Sequence, residues 1–147
     1  MRVVIDTNIW VSGMLWRGAP WRLLRLAEQG TVELCTAPSL LAELAEVLAY
    51  ESLQPRLAEL ALNPAELVAY AMRLATVFEV TGEGAPIVAA DPDDDEILRC
   101  AAVAQADYVV SGDRHVLGMG EYAGVPILAV HELLDRIANQ PTDLRAD

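Results

Sequence analysis

The sequence predicts an α/β fold in which helices cover both faces of a mostly parallel sheet. Short apolar runs rich in β-branched residues alternate with amphipathic helical segments along the chain. This alternation indicates crossover connections, which place helices on both faces of a parallel sheet. With 147 residues, of which 54% are hydrophobic, the chain is long enough for one domain with its own core.

Four strands are the best-defined elements. Each is a short, mostly apolar run bounded by a turn or by the start of a helix. The predicted strands cover residues 2–6, 31–36, 108–111 and 125–129. Two further β segments, residues 77–80 and 86–88, are short and ambiguous.

Helices are predicted in the intervals between these strands. The first two are separated by a break at Gly18 and Pro20, and Gly30 ends the second. Ser39 and Asn63 are candidate caps for later helices, and Asp94 or Asp95 can cap the acidic helix. Six predicted helices cover about residues 7–15, 40–50, 56–62, 94–106, 115–118 and 130–138. Two more are bounded at one end only: one follows the break at Pro20 and ends at about residue 29, and the other begins at residue 64.

The domain organisation is simple. We predict one domain over residues 1–138 and a polar tail over residues 139–147. No apolar run reaches a membrane-spanning length, and the N-terminus lacks the layout of a signal peptide. Cys35 and Cys100 are isolated in apolar segments, which is typical of buried thiols in a cytoplasmic protein.

The net charge of −12 argues against broad electrostatic binding to nucleic acid, which normally uses a basic surface. It does not exclude a nucleic-acid enzyme. Bound metal ions and a local arginine cluster can reverse the sign of the potential within one cleft.

Residues 88–99 form the most acidic stretch of the chain. A solvated acidic helix start is the plain interpretation of such a run. So much negative charge in one place is costly unless water or a cation neutralises it, so a cation site is the alternative. The five carboxylates are those of Asp91, Asp93, Asp94, Asp95 and Glu96.

An EF-hand calcium loop is excluded by the spacing of this stretch. Asp91, Asp93 and Asp95 match the first, third and fifth ligand positions of that loop. The sixth position requires Gly and is Glu96, and the twelfth requires Glu and is Ala102.

Further acids follow the predicted strands. Asp6 ends the first strand, Asp113 lies one turn after the strand 108–111, and Asp95 begins the helix that leads into that strand. Glu43 lies one turn into the helix after the second strand. In parallel sheets ligands bind outside the carboxyl ends of the strands, so we expect these four carboxylates to meet there. Their hard oxygen atoms suit Mg²⁺ or Mn²⁺.

Several motifs in order resemble the PIN domain family, and the nearest subgroup is the PIN proteins of bacterial toxin–antitoxin systems. The motifs are VIDTNIWVSGML, TAPSLLAELAEVL, DPDDDEILRCAAVAQADYVVSGDRHVL and GVPILAVHELL, and the resemblance covers about residues 1–136. It implies a three-layer α/β/α fold with a mostly parallel five-stranded sheet. It also implies Mg²⁺- or Mn²⁺-dependent cleavage of RNA phosphodiester bonds. The family's active-site acids fall on Asp6, Glu43, Asp95 and Asp113.

Within this resemblance each acid has an expected role. We predict Asp6 as the bridging metal ligand, with Asp95 and Asp113 completing the metal sites. Glu43 is either a further ligand or the group that orients the attacking water. A bound metal can hold a hydroxide for in-line attack, and a second metal can stabilise the leaving oxygen.

Four polar residues are candidates for supporting roles. Asn8 either hydrogen-bonds Asp113 or the scissile phosphate, or simply caps the first helix. Asp91 and Asp94 are either outer-shell acids or turn residues before the acidic helix. Ser111 either contacts a phosphate or only terminates its strand.

An arginine cluster, Arg17, Arg22 and Arg25, is the candidate surface for RNA phosphate near the predicted site. A solvated helix face is the alternative for these residues. The three tryptophans, Trp10, Trp16 and Trp21, lie among apolar neighbours, which favours core or dimer packing over base stacking.

Three functions are compatible with these residues. The first is a PIN-type ribonuclease that is the toxin of a toxin–antitoxin pair and forms a homodimer. The second is a non-catalytic PIN fold that binds a partner; the intact set of four acids favours the ribonuclease. The third is a phosphatase of the haloacid dehalogenase type, whose chemistry requires a second Asp where this chain has Asn8.

Overall fold

The computed structural model of the chain describes residues 1–80 and 92–140, with the backbone alone for residues 92–95. Within these ranges six strands form one sheet in the order β3-β2-β1-β4-β6-β5. Five of them are parallel, and β5 pairs with β6 in the antiparallel sense. The strands are β1 (Arg2–Ile5), β2 (Glu33–Thr36), β3 (Thr76–Val77), β4 (Tyr108–Val110), β5 (Glu121–Tyr122) and β6 (Val125–Leu128).

Eight α-helices and one short 3-10 helix, Glu51–Leu53, connect the strands over the same ranges. None of these helices is both long enough and apolar enough to cross a membrane. The α-helices are α1 (Thr7–Leu15), α2 (Ala19–Glu28), α3 (Pro38–Leu48), α4 (Gln54–Glu59), α5 (Pro64–Leu74), α6 (Pro92–Ala104), α7 (Arg114–Gly118) and α8 (Val130–Ala138).

The sheet separates two apolar clusters, because side chains alternate between its faces. Val3 and Ile5 of β1 belong to a large cluster that includes residues of α1 to α5 and α8. Val4, between them, belongs to a second cluster with residues of α6 and α7. The predicted α/β/α architecture is therefore confirmed.

The two cysteines lie in the second cluster and are free and buried, as expected. Burial, with the nearby Glu33 carboxylate, raises the pKa of the Cys35 thiol to about 11. Burial, with the nearby Cys35 and Glu96, raises the pKa of the Cys100 thiol to about 12. Both thiols therefore act as core groups in the neutral form.

Helix ends account for most differences from the sequence predictions. Asn63 caps α5 as predicted, and its Oδ1 accepts from Ala65 N at 2.8 Å. Ser39 is not the cap of α3, because this helix already begins at Pro38 and its cap is Ala37. The acidic helix α6 begins at Pro92, so Asp94 and Asp95 lie inside its first turn and neither is its cap.

Short elements account for the other differences. Strand β5 has only two residues, too few for an alternating pattern, and sequence analysis missed it. It adds an antiparallel strand to the predicted five-stranded parallel sheet. The predicted β segment 86–88 and the tail from residue 141 onward lie outside the described residues.

Helices α1 and α2 are in direct contact at Gly13. A Cβ atom added there would lie 2.7 Å from Leu24 Cδ1 and 2.9 Å from the backbone oxygen of Pro20. Both distances are below van der Waals contact, and the backbone oxygen cannot move aside as a flexible side chain can. Gly13 is therefore required by packing, although glycine is a poor helix former.

We predict that Gly13→Ala destabilises the fold. Alanine normally stabilises a helix by about 1 kcal/mol relative to glycine, but overpacking here should cost about 1–3 kcal/mol and outweigh that gain. Chemical denaturation measures the difference. Gly118→Ala in α7 is the control, because a Cβ atom there meets no atom within 4 Å. A Gly13→Ala chain at least as stable as the native chain would contradict this close packing.

Candidate active site

The polar part of the core lies at the carboxyl edge of the sheet. Asp6 and Thr7 follow β1, Thr36 ends β2 and Ser111 follows β4. In the described ranges these are the buried polar side chains, and each is at most 7% exposed. Buried polar side chains require a reason, since their desolvation is costly. Their common location marks this edge as the candidate site, where parallel sheets bind ligands.

Asp6 is held in place from two sides. Its backbone N–H donates to Val110 O of the neighbouring strand at 3.1 Å, which continues the pairing of β1 with β4. Its side chain caps α1, and Oδ1 accepts from Ile9 N at 3.0 Å. Its Oδ2 accepts from Ser111 Oγ at 2.7 Å. Groups of the chain itself therefore fix the carboxylate.

Ser111 connects the two acids that follow β1 and β4. Its Oγ donates to Asp6 Oδ2 and accepts from Asp113 N at 3.0 Å. Gly112 N also donates to Asp6 Oδ2, at 3.2 Å. The loop 111–113 thus wraps around the Asp6 carboxylate, and Ser111 does more than end its strand.

Asp113 is half-buried and caps the short helix α7. Its Oδ1 accepts from His115 N at 2.8 Å and from Val116 N at 3.2 Å. Within the described ranges its Oδ2 accepts no hydrogen bond. One oxygen of Asp113 is therefore occupied by the helix, and the other is available to a cation or a water molecule.

The environment of Asp6 suits a cation. No basic side chain pairs with this buried carboxylate in the described part of the chain, where the ion pairs are Arg2–Glu33, Arg25–Glu28 and Arg56–Glu59. The start of α1 and the N–H of Gly112 supply partial positive charge only. Mg²⁺ retains several waters and needs one or two carboxylates, so the donor set of Asp6 and Asp113 fits this ion or Mn²⁺.

The other predicted acids are not assembled with this pair in the described ranges. Glu43 is half-buried on α3, and no group of three His, Cys, Asp or Glu side chains placed to hold a metal is found among the described residues. The side chains of Asp94 and Asp95, and all of Asp91, lie outside those residues. Their predicted roles in metal binding and support therefore stay predictions.

Asn8 does not have the predicted contact with Asp113. It is exposed on the first turn of α1, and no hydrogen bond of its side chain occurs within the described residues. Nor does it cap this helix, since Asp6 does so. A contact of Asn8 with substrate stays a prediction.

The arginine cluster is not beside the acids. Helix α1 lies between Asp6 and the start of the cluster. Its nine residues, at about 1.5 Å of rise per residue, give a helix about 14 Å long. Arg22 and Arg25 line a cavity of about 400 Å³ with Leu134 and Ile137, in the second half of α8. Since α8 begins at the carboxyl edge and runs away from it, this part of α2 lies towards the opposite edge. The described contacts of these arginines do not include the acids, and their role in binding RNA phosphate stays a prediction.

Arg25 is also engaged within the chain. It pairs with Glu28 at 2.8 Å and donates to Tyr70 Oη at 3.0 Å. Two guanidinium groups stack on the Trp21 ring: Arg17 Cζ lies 4.9 Å and Arg25 Cζ lies 5.0 Å from the ring centre. Of the three predicted phosphate contacts, Arg17 and Arg22 are exposed, whereas Arg25 supports the packing of α2 on α5.

Sequence reasoning did not select Thr7, Thr36 or Glu96 as site residues. Thr36 had a usable signal, a polar residue at the carboxyl end of an apolar strand. Glu96 had none, because its partner Ser39 is 57 residues away: Ser39 Oγ donates to Glu96 Oε2 at 3.0 Å. This hydrogen bond joins α3 to α6.

Comparisons with known proteins identify a family and a structure with a similar fold. The profile of the PIN domain family matches residues 2–115. The crystal structure of PAE2754 from Pyrobaculum aerophilum aligns with a TM-score of 0.62 and 16% identity, covering 95% of this chain and 91% of that chain. At this identity the likeness concerns the fold alone. A search of the curated proteins found no match.

We predict that Ser111→Ala destabilises the chain, because it removes a buried hydrogen bond to a carboxylate. A bond of this kind contributes about 1.5–3 kcal/mol. Urea denaturation measures the change. Ser52→Ala is the control, because Ser52 is exposed in the 3-10 helix. Equal stability of the two variants would show that Ser111 does not hold Asp6 as described.

Proposed function

This chain belongs to the PIN domain family, and we propose that it is a Mg²⁺- or Mn²⁺-dependent endoribonuclease. Family membership gives the nuclease-type fold. The observation that carries the proposal is the pair of carboxylates, Asp6 and Asp113, linked through Ser111 at the carboxyl edge. A buried carboxylate that has no basic partner in the described ranges is well suited to a cation and unusual as a purely structural group.

The chain's own residues hold and orient the reacting groups. Asp6 and the free Oδ2 of Asp113 bind the cation, and Asp95 and Glu43 complete its protein ligands or orient water. When bound, the metal supplies a hydroxide nucleophile and stabilises the leaving oxygen of the phosphodiester. Because Ser111, Gly112 and the start of α1 already fix Asp6, little ordering remains to be done when the cation binds.

Contact with RNA depends on the local charges of the chain. The net charge of −12 opposes long-range attraction of RNA, so local groups must supply it. Arg17 and Arg22 are exposed, but they are remote from Asp6 and can contact only RNA that extends well beyond the scissile phosphate. Bound divalent cations therefore supply most of the positive charge next to the scissile bond.

We also propose that the protein is cytoplasmic, forms a homodimer and acts as the toxin of a toxin–antitoxin pair. Exposed apolar side chains support a protein partner: Trp16 is 44% exposed and Leu60 is 37% exposed. Both line a cavity of about 200 Å³ whose other lining residues include Trp21, Arg17 and Arg56. Apolar surface of this kind is typical of interfaces.

The dimer is tested by light scattering at tens of micromolar protein. We expect a mass of about twice the 15.9 kDa of one chain. A mass of one chain over this concentration range would contradict the homodimer. It would leave the nuclease proposal unaffected, because Asp6, Ser111 and Asp113 all come from one chain.

A non-catalytic PIN fold that binds a partner is the second candidate. It is supported by the exposed apolar side chains of Trp16 and Leu60, which suit a protein partner. The two candidates differ in what Asp6 does. A binding module needs this residue only for folding, whereas a nuclease needs it for catalysis.

We predict that Asp6→Asn, Asp95→Asn and Asp113→Asn each lower RNA cleavage about a thousandfold, since each removes a negative charge that holds the metal. Glu43→Gln should be as severe. Cleavage of single-stranded RNA in Mn²⁺ gives the rates, and high Mn²⁺ should partly restore the three Asp variants. Restoration is not expected for Glu43→Gln if Glu43 orients water.

The control for these variants is Asp135→Asn on the exposed side of α8. It removes the same charge far from the carboxyl edge and should leave the rate unchanged. If Asp6→Asn retained full metal-dependent cleavage, the nuclease proposal would be abandoned for the binding module.

A further inference from the structure

A hydrogen bond joins helices α3 and α6 close to the remaining predicted acids. Ser39 Oγ, on the first turn of α3, donates to Glu96 Oε2 of α6 at 3.0 Å. The two residues are 57 positions apart, so this bond is a tertiary contact. It lies at the surface, with Ser39 exposed and Glu96 half-buried.

The residues next to this bond make it relevant to the site. Glu43 follows Ser39 by four positions, so both lie on one side of α3. Glu96 directly follows Asp95 on α6. The bond therefore joins the turns of the two helices that carry Glu43 and Asp95, the other two predicted site acids.

Buried apolar residues next to this hydrogen bond also hold the two helices together. Leu40 follows Ser39, and Ile97 follows Glu96; both are buried in the cluster on this face of the sheet. Apolar packing is not directional and permits small sliding of one helix on the other, whereas a hydrogen bond restricts it. Ser39 and Glu96 thus add one directional contact between two helices that apolar residues also hold together.

We propose that Ser39 and Glu96 are positioning residues of the metal site. Their hydrogen bond sets the spacing of α3 and α6 so that Glu43 and Asp95 act on the cation held by Asp6. This inference rests on the proposed function. It does not require Glu96 to be a metal ligand.

A different role for Glu96 gives different results. In that role, the negative charge of Glu96 attracts the cation directly, and Ser39 has no effect on metal affinity. Glutamine separates the two roles, because its amide oxygen accepts the Ser39 hydroxyl as a carboxylate does but carries no charge. Threonine at position 39 keeps the hydroxyl donor in the same way.

The experiment measures Mn²⁺ affinity by calorimetry on the full chain without RNA. We expect Ser39→Ala and Glu96→Ala each to raise the dissociation constant about five- to tenfold. The double variant should be no worse than either single variant, because both remove the same bond. Glu96→Gln and Ser39→Thr should bind Mn²⁺ nearly as the native chain does.

Two controls accompany the series. Glu46→Ala removes an exposed acid from α3 and should leave the affinity unchanged. Melting curves without metal establish whether every variant is folded. If an alanine variant does not fold, Glu96→Gln and Ser39→Thr still allow the hydrogen bond to be tested.

Three outcomes would overturn the inference. Native affinity in both alanine variants would show that the bond has no positioning role. Equal losses in Glu96→Gln and Glu96→Ala, with none in Ser39→Ala, would show that charge acts directly. A native chain that neither binds Mn²⁺ nor cleaves RNA would overturn the proposed function as well, which separates that failure from the first two.

Discussion

The candidate site depends on the hydrogen bond between Ser111 Oγ and Asp6 Oδ2, 2.7 Å long and buried. It joins the ends of β1 and β4, which are neighbours in the sheet although 105 residues separate the two groups. The same hydroxyl accepts from Asp113 N, so one side chain sets the positions of both acids. If the pairing of β1 with β4 slipped by one residue, Ser111 would turn to the other face of the sheet and the link would be lost.

A buried carboxylate destabilises a fold unless its charge is compensated, and Asp6 is compensated only in part by N–H groups and a hydroxyl. In the proposed metal site a divalent cation would add opposite charge next to this carboxylate. The free energy of folding and the affinity for metal are then linked, because an ion that binds only the folded state stabilises that state.

The sequence was informative where a local pattern decided the structure. Asp6 and Asp113 could be predicted because both follow short apolar strands, and parallel strands bring their carboxyl ends to one edge. The arginine cluster could not be placed, because its position depends on the contact of α2 with α1 at Gly13, and nothing in the local pattern encodes that contact. The start of α6 was ambiguous for a different reason: consecutive acids at positions 93–95 offer several equivalent caps. The contact of Ser39 with Glu96 joins residues from two helices and has no signal in either segment.

The central position of β1 has a consequence for synthesis of the chain. Strand β1 is paired on one side by β2 and on the other by β4, whose residues are translated much later. At about 5–20 residues per second, the ribosome needs roughly 5–20 s to pass from Asp6 to Ser111. During this interval Asp6 has neither its hydroxyl partner nor the neighbouring acid. If this pair is the metal site of the proposed nuclease, the site is not assembled until the ribosome has passed Asp113, and the order of translation itself would delay the appearance of activity.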